Sequence, residues 1–207
     1  MKPPAVPLKS PRRQRNRELM LDTILATARA IMREEGVAAL SMQELARRLG
    51  MRAPSLYNYF PSKMAIYDAL FQLGFTRFGE HMAQAVAGAT TWQEDLRSTF
   101  TAYMSFALQN PELYQLCFER PVPGFVPSAA SLELSFGQLR AGYARVGRWA
   151  GHMHSGLPPE QTTDLAIAMM HGLTALHLSN EPHLPVGAGR FGALIDPVIA
   201  VLEKAWA

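Results

Sequence analysis

Apolar side chains along this chain recur at spacings of three and four, the period of a helix with one buried face, and the strict alternation of a half-buried strand is absent. Leu21, Ile24, Leu25, Ala28, Ile31 and Met32 form the first stripe, and Gly36 follows where a helix stops. Ser41 opens a second, short helix: its hydroxyl caps the exposed amides while Glu44, three residues on, returns the bond. Leu45, Ala46 and Leu49 face inward until Gly50 closes that helix, and residues 51–53 turn tightly. Pro54 suits the first turn of a third helix, where its missing N–H costs nothing, and that helix is expected to run to Phe60, just before Pro61. Ser62 caps a fourth, longer helix that begins at Lys63 and carries Ile66, Leu70, Leu73, Phe75, Phe78 and Met82 away from the first three.

The same signals continue downstream. Thr91 with Glu94 is a second capping box, and Asn110-Pro111-Glu112 starts a helix expected to end near Arg120. Pro121, Pro123, Gly124 and Pro127 make the one clear internal loop. Helices are expected from Ser128 to about Gly151, from Pro159 to about Ser179, and from Arg190 to Trp206. Long helices with short links predict an all-α bundle. We divide it into a flexible basic arm (1–17), a three-helix unit with a helix-turn-helix (18–63) and an all-helical body (64–207).

Charge sharpens this division. The formal net charge is only +3. Residues 1–63, however, hold three lysines and nine arginines against five acidic side chains, while the remainder is mildly acidic. A basic end on an acidic body suits contact with a polyanion. The arginines at 12, 13, 15 and 17 read equally well as a solvated run or as an arm that orders in a minor groove. Cys117 is the only cysteine, so no intramolecular disulfide forms. The first seventeen residues lack the apolar stretch of a signal peptide, and Leu165 to Leu178 is interrupted by His171 and Gly172, short of the roughly 20 residues that span a bilayer. The expectation is a cytoplasmic protein without a membrane partner.

Two short helices joined by a tight turn at Gly50 form a helix-turn-helix, in which the second must enter the major groove while its apolar face stays anchored. Leu56 and Phe60, four residues apart, provide the anchor; Ala53, Ser55, Tyr57, Asn58 and Tyr59 are left outward. The stretch LSMQELARRLGMRAPSLYNYFPSKMAIYDAL, from Leu40, resembles the TetR family of bacterial regulators through Gly50, Leu56, Tyr57, Tyr59, Phe60, Ser62 and Lys63. That resemblance implies residue roles. Tyr57 and Tyr59 align with contacts to backbone or a thymine methyl, Lys63 with a phosphate contact, and Gln43 and Ser55 with positions reaching base edges. Ser41 and Met42 bring backbone amides to phosphate. Arg52 stands where the family often has a capping Ser or Thr, which makes it a phosphate or base contact instead, and Asn58 replaces a frequently aromatic or basic residue. Arg17 completes the expected DNA surface.

One such unit reads few base pairs, so a homodimer on a two-fold operator is expected, joined through the last two helices at Leu165, Ala168, Leu176, Leu194, Val198, Val201 and Leu202. The body resembles the subgroup of that family named for a Trp-His-Gly motif, through Asn110-Pro111-Glu112-Leu113-Tyr114 and His171-Gly172-Leu173, with Met170 in place of the tryptophan. An effector pocket is expected among Phe100, Tyr103, Met104, Phe118, Phe125 and Trp149, with His152 and His171 as polar groups. Eleven methionines, which repack around varied shapes, favour an apolar or aromatic small molecule.

These features add up to a ligand-responsive repressor released from its operator, needing no cofactor. No metalloprotease, phosphate-loop or nucleophile-elbow pattern appears, so an enzyme is not expected. Two other readings stay open: a metal-responsive regulator using His152 and His154, and a helical interaction module whose helix-turn-helix is vestigial.

Overall fold

The computed structural model describes residues 11–207, and those residues fold into ten α-helices with no strand among them. Helix α1 spans Pro11–Glu35, α2 Met42–Arg48, α3 Ala53–Leu56, α4 Lys63–Val86 and α5 Trp92–Gln109. Helix α6 (Pro111–Tyr114) widens into a single π-turn over Gln115–Glu119, after which come α7 (Ala129–Trp149), α8 (Pro159–Asn180), α9 (Gly189–Gly192) and α10 (Ile195–Trp206).

Caps set most of these boundaries. Ser41, Ser62, Thr91 and Ser128 each accept a hydrogen bond from the backbone amide three residues on, which satisfies one of the free donors of a helix start. The return half of the boxes differs from expectation. Glu44 turns away from the Ser41 amide to take Arg47 and Arg48, and Glu94 accepts from the amide and hydroxyl of Thr90 instead. Gly50 sits at φ 64°, a left-handed turn that glycine makes without penalty, and it redirects the chain between α2 and α3.

Three boundaries depart from the sequence reading. Residues 11–17 are not an arm but the first turns of α1, because Pro11 is preorganised for helix entry and no breaker follows it; residues 1–10 of the expected arm lie outside the described residues. The third helix closes at Leu56, and the chain continues to Phe60 as a hydrogen-bonded turn. The expected last helix is broken at Ala193–Leu194. Pro197 has no N–H to give the carbonyl four residues back, so α10 begins afresh at Ile195.

The buried side chains form one continuous core. Ile24, Ala28 and Ile31 of α1 meet Leu45 of α2, Leu56 of α3 and Ile66, Tyr67 and Leu70 of α4. Tyr67 donates its hydroxyl to the Val37 carbonyl at 2.7 Å, and burial pushes that phenol up to about 12. Further along, Phe100, Phe106, Leu113 and Tyr114 join α5 and α6 to α4, and Ile199, Leu202 and Trp206 fasten α10 onto α5. Gly74 lets α4 lie against the π-turn: a Cβ there stands 2.5 Å from the Cys117 sulfur. Among the described residues no helix is long and apolar enough to cross a membrane.

Candidate nucleic-acid interface and effector cavity

The expected contact residues gather on one side of α2 and α3. Ser41 and Gln43 are exposed and Met42 half-buried at the start of α2; Arg52, Tyr57 and Asn58 are exposed around α3, with Ala53, Ser55 and Tyr59 half-buried. Leu56 is fully buried and Phe60 nearly so, which anchors the short helix and leaves Tyr57 half exposed. Arg52 occupies the capping position of α3 with no side-chain cap bond, so its guanidinium projects outward. Lys63 is the first residue of α4, behind the Ser62 cap.

Two arrangements rigidify this surface, and neither is visible in the spacing alone. Arg17, on the helical extension of α1, lies over the Tyr59 ring with its guanidinium carbon 5.3 Å from the centroid, and donates to the Asn58 carbonyl at 3.1 Å. A fixed cation thereby sits beside the turn after α3. Arg48 donates to Glu34 and Glu35 at the end of α1, each at 2.5 Å, and to Glu44 at 2.8 Å, while Arg47 also holds Glu44. Hydrogen bonds from Arg47 and Arg48 hold the Glu44 carboxyl down to about 2. These charges satisfy one another and lock α2 to α1; outward positive charge beside α3 comes from Arg17, Arg52 and Lys63, and the exposed Arg12, Arg13 and Arg15 add to it along α1.

Behind the head, Glu112 of α6 is buried with 0% of its side chain exposed. Arg29 donates to it at 2.7 Å and to the Asn110 side chain at 3.0 Å, and Arg33 adds a second guanidinium at 2.9 Å. A buried carboxylate demands such partners. This clamp ties α1 to the segment that becomes the π-turn.

The π-turn in turn forms one wall of a partly open cavity of about 860 Å³ between α4, α5, α7 and α8. Tyr103, Phe118, Trp149 and His171 line it as the sequence suggested. Phe100, Met104, Phe125 and His152 do not. Phe100 and Met104 are buried in the core, Phe125 packs on Tyr67 and Phe71, and His152 is exposed with its ring against Trp149. Arg148 of α7, which the sequence also offered as a polar group of the pocket, is in the lining, and residues not expected there complete it: Phe71, Phe75 and Phe78 from α4, Asp95 from α5 and Arg145 from α7. Asp95 stands in the apolar stripe Trp92, Asp95, Thr99, Tyr103 of α5, and that misplaced charge was the available signal.

Two polar clusters stand in or directly behind the cavity wall. The hydroxyls of Tyr103 and Tyr114 stand 3.1 and 2.9 Å from His171 Nδ1, and burial pushes both phenols above their ordinary range. Asp95 accepts from Trp149 Nε1 at 3.1 Å and lies 3.0 Å from Arg145 Nε. Burial pushes the Arg145 guanidinium down, with Asp95 opposing. Cys117 is buried, and its thiol is pushed up to about 12, well above the range of a reactive thiol. His152 and His154 are both exposed, and among the described residues no three His, Cys, Asp or Glu side chains gather as metal ligands.

Leu165, Ala168 and Leu176 of α8 are exposed, as are Leu194 at the start of α10 and Val201 within it, with Val198 half-buried. Leu202 does not belong with them. It is buried in phase with Ile195, Ile199 and Trp206, which carry the inward stripe of α10.

Comparison with known proteins agrees with this geometry. Residues 24–70 match the family described as bacterial regulatory proteins, tetR family, and residues 96–202 match the tetracyclin repressor-like C-terminal domain. Over 92 residues the chain is 33% identical to the HTH-type regulator YobS of Bacillus subtilis, covering 44% of this chain and 48% of that one. Over 96 residues it is 30% identical to the activator FasR of Mycolicibacterium smegmatis, covering 46% and 44%. The matched stretch thus spans about half the length of these curated relatives. Similar folds include a Rhodococcus sp. RHA1 protein of unknown function (TM-score 0.77, 22% identity, 91% and 95% of the two chains). Another is the regulator FadR of Bacillus subtilis in complex with stearoyl-CoA (TM-score 0.72, 18% identity, 90% and 98%).

Proposed function

The chain belongs to the tetR family of bacterial regulatory proteins, and from that premise we propose that it is a ligand-responsive repressor, released from a two-fold operator when a small apolar or aromatic molecule enters the cavity. The observation that carries this reading is the physical link between an exposed recognition surface and that cavity. Helix α4 starts at Lys63 beside the recognition turn and lines the cavity from Phe71 onward. The Arg29–Glu112–Arg33 clamp makes a second link, from α1 to the π-turn. A ligand that favours one position of α4 and the π-turn shifts the population of dimers whose recognition helices fit the operator.

In this reading residues 11–63 form the DNA-binding unit and 64–207 the sensing body. The roles of Ser41, Met42, Gln43, Arg52, Ala53, Ser55, Tyr57, Asn58, Tyr59 and Lys63 follow the family resemblance, and Arg17 joins them through its place on Tyr59. The protein works in the cytoplasm as a homodimer joined through α8 and α10, by way of Leu165, Ala168, Leu176, Leu194, Val198 and Val201. The Asn110-Pro111 entry and the placement of His171 on the cavity wall support the Trp-His-Gly subgroup, with Met170 buried at the tryptophan position. That a similarly folded regulator holds stearoyl-CoA supports an apolar effector.

The test is binding of the purified protein to its own upstream DNA at two salt concentrations against a random duplex. Tyr57→Ala is expected to weaken specific binding about tenfold, and Lys63→Ala to weaken all binding and reduce the salt slope by about one. If neither substitution changes DNA binding, the recognition surface is vestigial and the chain is an interaction module.

A further inference from the structure

The cavity is long. On α4 its lining runs from Phe71 to Val86, which at 1.5 Å per residue is about 22 Å. Helix α7 runs parallel to α4: Gln72 donates to Ser131 at 2.9 Å near one end, and Gln138 lies over Gly79 midway. The two ends differ. One is lined by Phe71, Phe75, Cys117 and Phe118, with the exposed Arg120 following the π-turn at its rim; the other holds Asp95, Arg145, Arg148 and Trp149.

Arg145 is the unexplained group. Its side chain is 17% exposed. Asp95 balances its charge at 3.0 Å, yet Nε is off the line of a hydrogen bond, and among the described residues no protein hydrogen bond takes up its terminal N–H groups. Nε is fully buried, whereas the terminal nitrogens of the planar fork are not sealed off and keep their donors free for an anion in the mostly apolar cavity. The formal charges of the lining are Asp95 against Arg120, Arg145 and Arg148, an excess of positive charge. The other polar set is already occupied, since the Tyr103 and Tyr114 hydroxyls converge on His171 Nδ1.

We propose that the ligand of this cavity is a long-chain carboxylic acid, its carboxylate seated on the open fork of Arg145 and its aliphatic chain running along α4 to Phe71 and Cys117. This rests on the reading of the cavity as an effector site and names the chemical class that site takes. A carboxylate matches the guanidinium fork with two parallel hydrogen bonds, and Arg148 adds a second positive charge on that side. The tail ends against the π-turn, the segment the Glu112 clamp joins to α1. Chain length is therefore the quantity that reaches the DNA-binding unit.

The test titrates the intact protein, without DNA, with myristate, myristyl alcohol, octanoate and myristoyl coenzyme A. It follows the fluorescence of Trp92, Trp149 and Trp206, all in the cavity wall, and calorimetry. Myristate is expected to bind about ten- to a hundredfold more tightly than the alcohol, as charge-assisted hydrogen bonds imply, and more tightly than octanoate. Because Arg145→Gln alone strands Asp95, the double variant D95N/R145Q carries the decisive arm: it is expected to lose that preference while binding the alcohol as before, with an unchanged melting transition. Arg145→Lys, which keeps the charge but not the fork, is expected to fall between. Equal binding of acid and alcohol, tighter binding of the coenzyme A ester, equal binding of octanoate and myristate, or an unaltered preference in the double variant each overturn the inference. DNA binding measured separately reports on the regulator reading, so either can fail while the other stands.

Discussion

The recognition unit and the sensing body are built from the same helices and the same kind of apolar stripe, yet they use them oppositely. In the head, the side chains of α1, α2, α3 and the start of α4 close on one another. Ile24, Ile31, Leu45, Leu56 and Ile66 are each completely buried, and the polar residues left outside are the ones available to DNA. In the body, Phe75, Phe78, Leu139 and Met170 also point inward, but onto a partly open space of about 860 Å³. A filled interior fixes one geometry; an interior with space in it can be shifted by whatever fills it. In the proposed reading the fixed part carries the DNA-binding surface and the adjustable part the effector.

The connection between the two regions gives the largest expected effect. Glu112→Gln removes the charge that holds Arg29 and Arg33, leaving two guanidinium groups without their buried counter-charge. It is expected to cost about 3–5 kcal/mol in urea unfolding, by analogy with other broken buried pairs. A loss below about 1 kcal/mol marks the clamp as an exposed pair and cuts this link between α1 and the π-turn.

The comparison itself is sharpened by one substitution made on each side. Leu56→Ala in the filled head is expected to cost about 3 kcal/mol, the transfer term plus a new void. Leu139→Ala, whose side chain already borders empty space, forfeits fewer contacts and is expected to cost about 1 kcal/mol. Equal losses in denaturant midpoints mean that the body is as tightly filled as the head, and the contrast fails.

The smallest effect concerns the surface network of the head. Glu44 is held at about 2 in the folded protein, against 4.5 ordinarily, by Arg47 and Arg48. Because the folded value is depressed, the contribution is fully present above 4.5 and is lost as the pH falls from there through about 2. Melting of the wild type and of Glu44→Gln is expected to converge across that window. The group is solvent-exposed, so the shift in midpoint is modest.

Much of the fold was legible in the sequence because it rests on local chemistry. Capping serines and threonines, Gly50, and apolar residues three and four apart act within one or two turns of chain, and they placed the helices, the turn and the Leu56–Phe60 anchor. Where local signals were silent, the reading stopped short. The charged start of α1 has no apolar stripe, so residues 11–17 did not announce themselves as helix, and Pro197 looked harmless until its ring met the end of α9.

The sites divide in the same way. Helical periodicity says that a side chain points inward, and it says so equally for Phe100, which is core, and Phe78, which lines the cavity. It likewise cannot separate Leu202, facing inward on α10, from Val201 on the outer face, without the rotation of that helix. Which inward residues meet a partner and which meet a void depends on how far apart the helices stand, and that distance is set by contacts between residues remote in the chain. Arg17 on Tyr59, Arg29 on Glu112 and Arg145 beside Asp95 join positions 42, 83 and 50 residues apart. Local chemistry along the chain specifies a helical protein with a helix-turn-helix, whereas where its charges meet and where its interior stays open depend on packing between distant segments.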